Sequence, residues 1–160
     1  MAYAKNSYND RYIPTVFENY SVGVNVRDEM VQVTLCDTSG QEEYDRLRPL
    51  AYPKTNVFLI CCSIVKPESF ENAKDRWLPE LRHHCPDTPF LLVGTQNDLR
   101  KTHYNAQSVR QGEKIAKQLG AVKYLECSAK EQVNVKDVFK EAIMIGMAPR
   151  SVRKQRCLIL

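Results

Sequence analysis

The stretch VFLICC at residues 57–62 decides the fold class of this 160-residue chain. It is an uninterrupted apolar run, and FLLV at residues 90–93 is a second one. Such runs are typical of parallel strands that are covered on both faces. VKYLEC at residues 122–127 is a third candidate strand. Segments with helical periodicity alternate with these strands, so we predict a three-layer α/β domain.

Three helices are predicted. The first spans residues 69–84, where Pro79 should bend the helix because its ring clashes with a preceding carbonyl. The second spans residues 106–119, and Gly120 lies where a C-terminal cap belongs. The third begins after Asn134, the predicted N-cap, and its apolar residues recur at intervals of three and four.

A β-hairpin is predicted before the apolar runs. SVGVNV at residues 21–26 and VQVTLC at residues 31–36 alternate apolar and polar side chains, with a turn at residues 27–30. The first residues, MAYAK at 1–5, read like the last turns of a helix. No internal repeat or low-complexity stretch interrupts this organisation.

Composition favours one folded domain. With 43% hydrophobic and 26% charged residues, the chain can bury a core and is not expected to be disordered. No apolar run has the length of a membrane span, and the start lacks a signal-peptide pattern. The basic residues form no face interleaved with aromatics, so we expect no nucleic acid polymer as partner. Five cysteines read as small buried residues in a reducing cytosol: Cys36, Cys61, Cys62, Cys85 and Cys127.

DTSGQ at residues 37–41 carries chemistry at the end of the second hairpin strand, an edge where α/β sheets bind ligands. The Asp37 carboxylate suits magnesium, as does the hydroxyl of Thr15 in the preceding loop. Gly40 would let the backbone approach a terminal phosphate. Gln41 could orient an attacking water, a role that glutamine has in the general scheme of phosphoryl transfer. The alternative is an ordinary strand-ending turn, where these residue types are common.

Two further motifs each follow a buried strand. In TQND at residues 95–98, the Asp98 carboxylate can accept hydrogen bonds from both the ring N–H and the amine of guanine. Adenine offers no such donor pair, so this residue would select guanine. In SAK at residues 128–130, a backbone N–H and the lysine stem could close over the same base. The predicted base contacts are Thr95, Gln96, Asp98, Ser128, Ala129 and Lys130.

A loop that cradles phosphates is not found in the chain. Its pattern is Gly-x-x-x-x-Gly-Lys-[Ser/Thr], and none of the six glycines is followed by lysine. Four or five charge-assisted hydrogen bonds of about 1.5–3 kcal/mol each would be missing. That is enough to remove most of a tight affinity. We therefore expect these 160 residues alone not to bind nucleotide tightly.

The C-terminus, CLIL at residues 157–160, is a prenylation box, and its final leucine favours geranylgeranyl on Cys157. One prenyl chain anchors only marginally. Nearby basic residues add about 1 kcal/mol each on an anionic leaflet. We expect a domain at 1–148 and a polybasic, prenylated tail at 149–160, anchored to the cytoplasmic face of plasma or internal membranes. The alternative is a frayed apolar end. The basic residues are Arg150, Arg153, Lys154 and Arg156.

Together these residues resemble the Rho/Rac family of Ras-like small GTPases over essentially the whole chain. The resemblance is carried by YIPTVFENY at residues 12–20, EYDRLRPL at 43–50 and WLPEL at 77–81. It implies a three-layer, P-loop GTPase-like (Ras-like) α/β fold with a mixed, mostly parallel sheet. It also implies GTP or GDP with Mg²⁺ as ligands and a role in cytoskeletal and membrane signalling.

The resemblance also implies residue roles and partners. Tyr12 would cover the nucleotide, Thr15 and Asp37 would bind magnesium, and Gln41 would position the attacking water. Residues 12–17 would belong to switch I and residues 40–48 to switch II. Exchange factors, GTPase-activating proteins, a dissociation inhibitor, effector kinases and scaffolds are the partners implied. The implied effector surface comprises Pro14, Val16, Phe17 and Tyr44.

Some residues depart from the family pattern. Ser39 stands where alanine is usual, and Thr95 and Gln96 replace the commoner Asn and Lys, so Asp98 remains the anchor. Residues 101–106 are too few for the family's insert helix. The family's first strand, phosphate loop and most of its first helix are expected to precede Met1. That strand would lie between the strands at 31–36 and 57–62, and its absence would expose two strand edges.

Different classes of function stay open. One is a GTP hydrolase, a Rho-type switch whose sequence here starts at an internal methionine. Another is a nucleotide-free short form that acts as an interaction or decoy protein. A third is an unstable fragment without a function of its own.

Overall fold

The computed structural model describes residues 2–9 and 15–149. Its helices and strands confirm the predicted α/β class. A π-helical turn at Ala73–Trp77 joins the helices Glu68–Asn72 and Leu78–His84, and short 3₁₀ turns lie at Glu42–Tyr44, Arg48–Ala51 and Asn97–Lys101. The order is α1 (Ala2–Lys5), β1 (Phe17–Val26), β2 (Glu29–Thr38), β3 (Phe58–Ser63), α2 (Glu68–Asn72), α3 (Leu78–His84), β4 (Phe90–Thr95), α4 (Val109–Leu119), β5 (Tyr124–Glu126) and α5 (Val135–Met147).

The strands form two sheets. β3, β4 and β5 pair in parallel in that order, whereas β1 and β2 form an antiparallel hairpin. The predicted mixture of parallel and antiparallel pairing is thus present, but it is divided between two sheets. Within the described residues no strand pairs with the second edge of β2 or of β3. Two exposed strand edges were expected from the sequence, and these are their positions.

The hairpin turn is shorter than predicted. Arg27 and Asp28 both have positive φ, 52° and 65°, so they form a two-residue turn. Turns of this kind match the right-handed twist of the flanking strands. The predicted turn at residues 27–30 is therefore too long, because Glu29 and Met30 already belong to β2.

β4 is the centre of the core. Alternate side chains of a strand point to opposite faces. Leu92 packs in a cluster with residues of α2, α3 and α4, and its neighbour Leu91 packs in a second cluster with α5. Both leucines are fully buried. Helices on both faces of this sheet give the three layers.

The helix predicted over residues 69–84 contains a π-helical turn. The N–H of Leu78 donates to the carbonyl of Ala73, five residues earlier, as in a π-helix. Pro79 then occupies the first turn of α3, where a missing N–H costs nothing. The disturbance expected at the proline lies in the turn before it.

One helix start differs from its prediction, whereas another helix start and one helix end are confirmed. α4 begins at Val109 instead of residue 106, because Ser108 forms a capping box with Gln111. Gly120 ends α4 in a left-handed conformation, with φ of 76°, as predicted. α5 begins at Val135, directly after Asn134, as predicted. The Asn134 side chain makes no capping bond, however: its backbone φ is 56°, and its side-chain amide donates to the carbonyl of Glu126 at 3.2 Å.

The chain start is helical, as predicted, over the single turn of α1. The ring of Tyr3 stacks on Phe139 of α5 with centroids 4.0 Å apart. This contact ties the segment before the hairpin to the layer behind the parallel sheet.

The burial predicted for the cysteines is wrong at two positions. Cys36 and Cys61 are exposed, whereas Cys62 and Cys127 are buried. Cys36 lies on the solvent-facing side of β2, and Cys61 lies on a face of β3 that the helices cover only in part. Among the described helices, none has the length and hydrophobicity that a membrane span requires.

Candidate functional site

Two of the predicted motifs meet because they follow neighbouring parallel strands. Residues 95–98 follow β4 and residues 128–130 follow β5, and the carboxyl ends of parallel strands lie at the same edge. The N–H of Asn97 donates to the carbonyl of Cys127 at 3.2 Å. The structure therefore brings the two segments side by side.

The start of the first motif is tied to β3. The Thr95 hydroxyl donates to the carbonyl of Cys62 at 3.1 Å, and the Ser63 hydroxyl donates to the Gln96 side-chain oxygen at 2.5 Å. Gln96 has a left-handed backbone with φ of 63°, which reverses the chain into the 3₁₀ turn that carries Asp98. Asp98 itself is half-buried.

An ion pair that the sequence analysis missed joins the two motifs. Arg100 Nη2 lies 2.5 Å from Glu126 Oε2. Arg100 follows Asp98 by two residues, and Glu126 precedes Ser128 by two. The Tyr124 hydroxyl donates to the other Glu126 oxygen at 2.8 Å, and burial together with this bond raises the pKa of Tyr124. Nothing in the sequence signals a pair 26 residues apart, because it forms only when β5 aligns with β4.

Ser128 is fully buried and shapes its own loop. Its N–H donates to the carbonyl of Val133 at 3.0 Å, and its hydroxyl accepts from the N–H of Glu131 at 3.0 Å. The exposed side chain of the triplet is Lys130. Ala129 is half-buried, and its carbonyl accepts from Gln132.

The phosphate-side residues also come together, at the end of the hairpin. The N–H of Ser39 donates to the carbonyl of Val16 at 3.2 Å, so the segment of Thr15 lies beside residues 37–41. Tyr12 and Pro14 lie outside the described residues.

The carboxyl group of Asp37 has an unusual environment. It is half-buried, and burial raises its pKa, helped by the Glu18 carboxylate opposite it in the hairpin. A carboxylate that burial makes harder to ionise is stabilised by a nearby cation. The carboxylate oxygens of Asp37 are of the ligand type that Mg²⁺ prefers.

Gly40 is not required by the fold. Its φ is not positive, and a Cβ there would lie 3.5 Å from the Trp77 ring, an ordinary contact. A side chain at this position would meet no serious clash within the described residues. Packing therefore gives no reason for glycine here, whereas a closely approaching ligand would.

Arg48 holds the segment of Gly40 and Gln41 and was also missed from the sequence. It is the buried charged residue of this region, 6% exposed. Its guanidinium donates to the carbonyls of Ser39 and Gln41 at 2.7 and 3.0 Å. It also pairs with Glu80 of α3 at 2.9 Å and Asp45 at 2.7 Å. The only sequence signal is an arginine between apolar neighbours, which is weak.

Part of the implied effector surface is accessible. Val16 and Phe17 are 46% and 47% exposed, and Tyr44 is half-buried in a 3₁₀ turn. Leu47 and Leu50, which the sequence analysis did not single out, are 54% and 73% exposed.

The chain belongs to the Ras family, whose family model matches residues 1–146. This defines its class as that of the small GTPases that act as signalling switches. Proteins of the family bind GTP or GDP with Mg²⁺, and their general partners are exchange factors, GTPase-activating proteins and effectors.

Proposed function

We propose that this protein is a Rho-type small GTPase switch, which recognises guanine nucleotide, hydrolyses GTP and binds effectors. The observation that carries the proposal is the joining of the two base motifs. Asn97 bonds the carbonyl of Cys127, and Arg100 pairs with Glu126. This arrangement supports a role for Asp98 in accepting two hydrogen bonds from guanine, with Lys130 beside the same base.

The hairpin end supplies the proposed catalytic side. Thr15 and Asp37 would hold Mg²⁺, which neutralises charge on the phosphates when it is bound. Gly40 would present its N–H to the terminal phosphate, because glycine has no side chain to obstruct that approach. Gln41 would orient the attacking water, and Tyr12 would cover the nucleotide.

Assignment to the Rho type rests on the residues that carry the resemblance. Two of the three stretches lie largely within the described residues and contact each other, because Arg48 from the second pairs with Glu80 from the third. Residues 102–108 contain no helix, so at this position the chain departs from the family pattern. Effectors, exchange factors, GTPase-activating proteins and a dissociation inhibitor follow as the proposed partners of such a switch.

We expect the purified 160-residue chain to bind fluorescent GDP or GTP with a dissociation constant above about 1 µM. Four or five phosphate-loop bonds of about 1.5–3 kcal/mol each have no counterpart in its sequence. The measurement is a fluorescence titration, with circular dichroism on the same sample to establish that the chain is folded. Sub-micromolar binding by the folded chain would show that the other motifs suffice.

Fusing a family-like first strand and phosphate loop ahead of Met1 should give GTP hydrolysis. In this fusion Gln41→Leu should slow hydrolysis by at least about tenfold, because an orienting group for the attacking water is lost. Gln118→Leu, on the exposed side of α4, is the matched control and should leave the rate unchanged. Equal rates for the fusion with Gln41 and with Leu at this position would contradict the catalytic role of Gln41.

A second candidate function is an interaction or decoy protein that works without nucleotide. The observation that favours it is the exposure of four apolar side chains, those of Val16, Phe17, Leu47 and Leu50. Effector binding by a chain that fails the nucleotide titration would support this reading. Effector binding that depends on added GTP would support the switch.

A further inference from the structure

Arg48 is buried and makes an unusually complete set of hydrogen bonds. A guanidinium has five N–H donors, and four of them are used here. Nε donates to Ser39 O, Nη1 to Glu80 Oε2, and Nη2 to both Gln41 O and Asp45 Oδ1. Two of these acceptors are main-chain carbonyls on either side of Gly40.

The remaining partners fix the arginine to α3 and its preceding turn. The guanidinium carbon lies 4.8 Å from the centroid of the Trp77 ring. Glu80 also accepts a bond from the hydroxyl of Tyr52, so its carboxylate is held from a second side. Asp45 receives a bond of 2.7 Å from Arg76, and the bonds from Arg48 and Arg76 hold the pKa of Asp45 below its usual range.

Burial makes this arrangement selective for one backbone conformation. The Arg48 side chain is only 4% exposed. If residues 39–41 moved away, the guanidinium N–H groups would lose the carbonyls that accept from them, and water could not take the place of these acceptors. Unpaired buried donors on a charged group are costly. A lysine could supply the charge but not the planar fork of donors.

We propose that Arg48 is a positioning residue, which fixes the backbone of Ser39 and Gln41 against Glu80 and Trp77 and thereby sets where the Gln41 side chain begins. The consequence for catalysis rests on the proposed function, in which Gln41 orients the attacking water.

The first test uses the 160-residue chain without nucleotide. Arg48→Lys and Arg48→Met should raise amide hydrogen exchange in a peptide covering residues 39–47 by about tenfold or more, the factor that one lost charge-assisted bond supplies. Amide exchange in β4 should stay within about twofold of the parent chain, because distant sites that share no partners affect each other little. The matched control is Arg46→Lys, because Arg46 is exposed and makes no hydrogen bond, ion pair or ring contact within the described residues. Trp77, the single tryptophan, should also change its fluorescence in the Arg48 variants alone.

Unchanged exchange at residues 39–47 would overturn the proposal, as would an equal increase in β4. If an Arg48 variant does not fold, Glu80→Gln provides the same test, because it weakens one anchor and leaves Arg48 in place. Raised exchange confined to residues 39–47 in Glu80→Gln supports the proposal.

The second test separates positioning from the proposed function. In the fusion that carries a phosphate loop, Arg48→Lys should slow GTP hydrolysis by about tenfold while GDP affinity changes by less than about twofold, a split expected of a group acting on the reacting step. In a Gln41→Leu background the same change should have no further effect. The link to Gln41 would be overturned if GDP affinity fell in parallel with the rate of hydrolysis. It would also be overturned if Arg48→Lys slowed hydrolysis by the full factor again in the Gln41→Leu background. A fusion that binds but never hydrolyses GTP would count against the proposed function, while the exchange experiment still decides the role of Arg48.

Discussion

Replacing Gly112 with alanine is expected to destabilise the domain by at least about 3 kcal/mol. Overpacking a core usually costs about 1–3 kcal/mol, and the added methyl group here would come far inside van der Waals contact. A Cβ at Gly112 would lie 2.2 Å from Cζ of Tyr124 and 2.6 Å from its hydroxyl oxygen. The helix itself should gain, because alanine is favoured over glycine by about 1 kcal/mol inside a helix. A net loss can therefore come only from the ring.

The tyrosine ring also lies close to a second glycine. A Cβ at Gly94 of β4 would lie 2.3 Å from the Tyr124 hydroxyl oxygen, so both glycines leave space that the tyrosine occupies. Its hydroxyl is bonded to Glu126, and Tyr124 is 9% exposed. Either the ring moves and breaks the bond to Glu126, or α4 moves away from β5. The first change would also remove one partner of Glu126, which pairs with Arg100.

Urea unfolding followed by circular dichroism measures the effect. Glu113→Ala, the next residue of α4 and exposed, is the matched control and should change stability by less than about 0.5 kcal/mol. Tyr124→Leu should cost less in the Gly112→Ala background than in the parent chain, because it removes the clashing ring atoms. A Gly112→Ala chain as stable as the parent would contradict the close approach of α4 to Tyr124.

The elements that the sequence predicted correctly are those specified by local patterns. The apolar runs of β3 and β4 and the periodicity of α5 need no knowledge of distant residues. Gly120 was also predictable, because its left-handed conformation is one that glycine adopts without strain. Helix starts were less predictable. Asn134 is of a residue type favoured at N-caps, and it precedes α5 as expected. Its side chain, however, bonds the carbonyl of Glu126, which only the folded chain places nearby.

The parts of the site that escaped prediction are contacts between distant segments. Arg48 and Glu80 are separated by 32 residues, and Arg100 and Glu126 by 26. Their side chains are ordinary surface types when read one by one. The motif residues could be named because their order along the chain places them after successive strands. The residues that hold those motifs in place carry no such order, so physical reasoning finds them only once the strands are aligned.

The tail leads to the prediction with the clearest all-or-none result: Cys157→Ser should release the protein from membranes to the cytosol. Residues 150–160 lie outside the described part, so the argument rests on their sequence. We propose that Cys157 is prenylated, because it is the first residue of the four-residue motif CLIL and a prenyl group is transferred to the cysteine of such a C-terminal motif. One prenyl chain holds weakly, and the basic residues before it add attraction of about 1 kcal/mol each to an anionic leaflet.

Membrane fractionation of the protein with an N-terminal tag, together with the intact mass of the C-terminal peptide, tests this prediction. Cys36→Ser, which changes an exposed cysteine far from the tail in sequence, is the matched control and should stay membrane-bound. Neutralising the four basic residues at 150–156 should weaken attachment or shift it to less charged internal membranes. Salt should weaken only that electrostatic part, because it does not screen the lipid anchor. An unmodified Cys157, or attachment that survives Cys157→Ser, would exclude prenylation as the anchor.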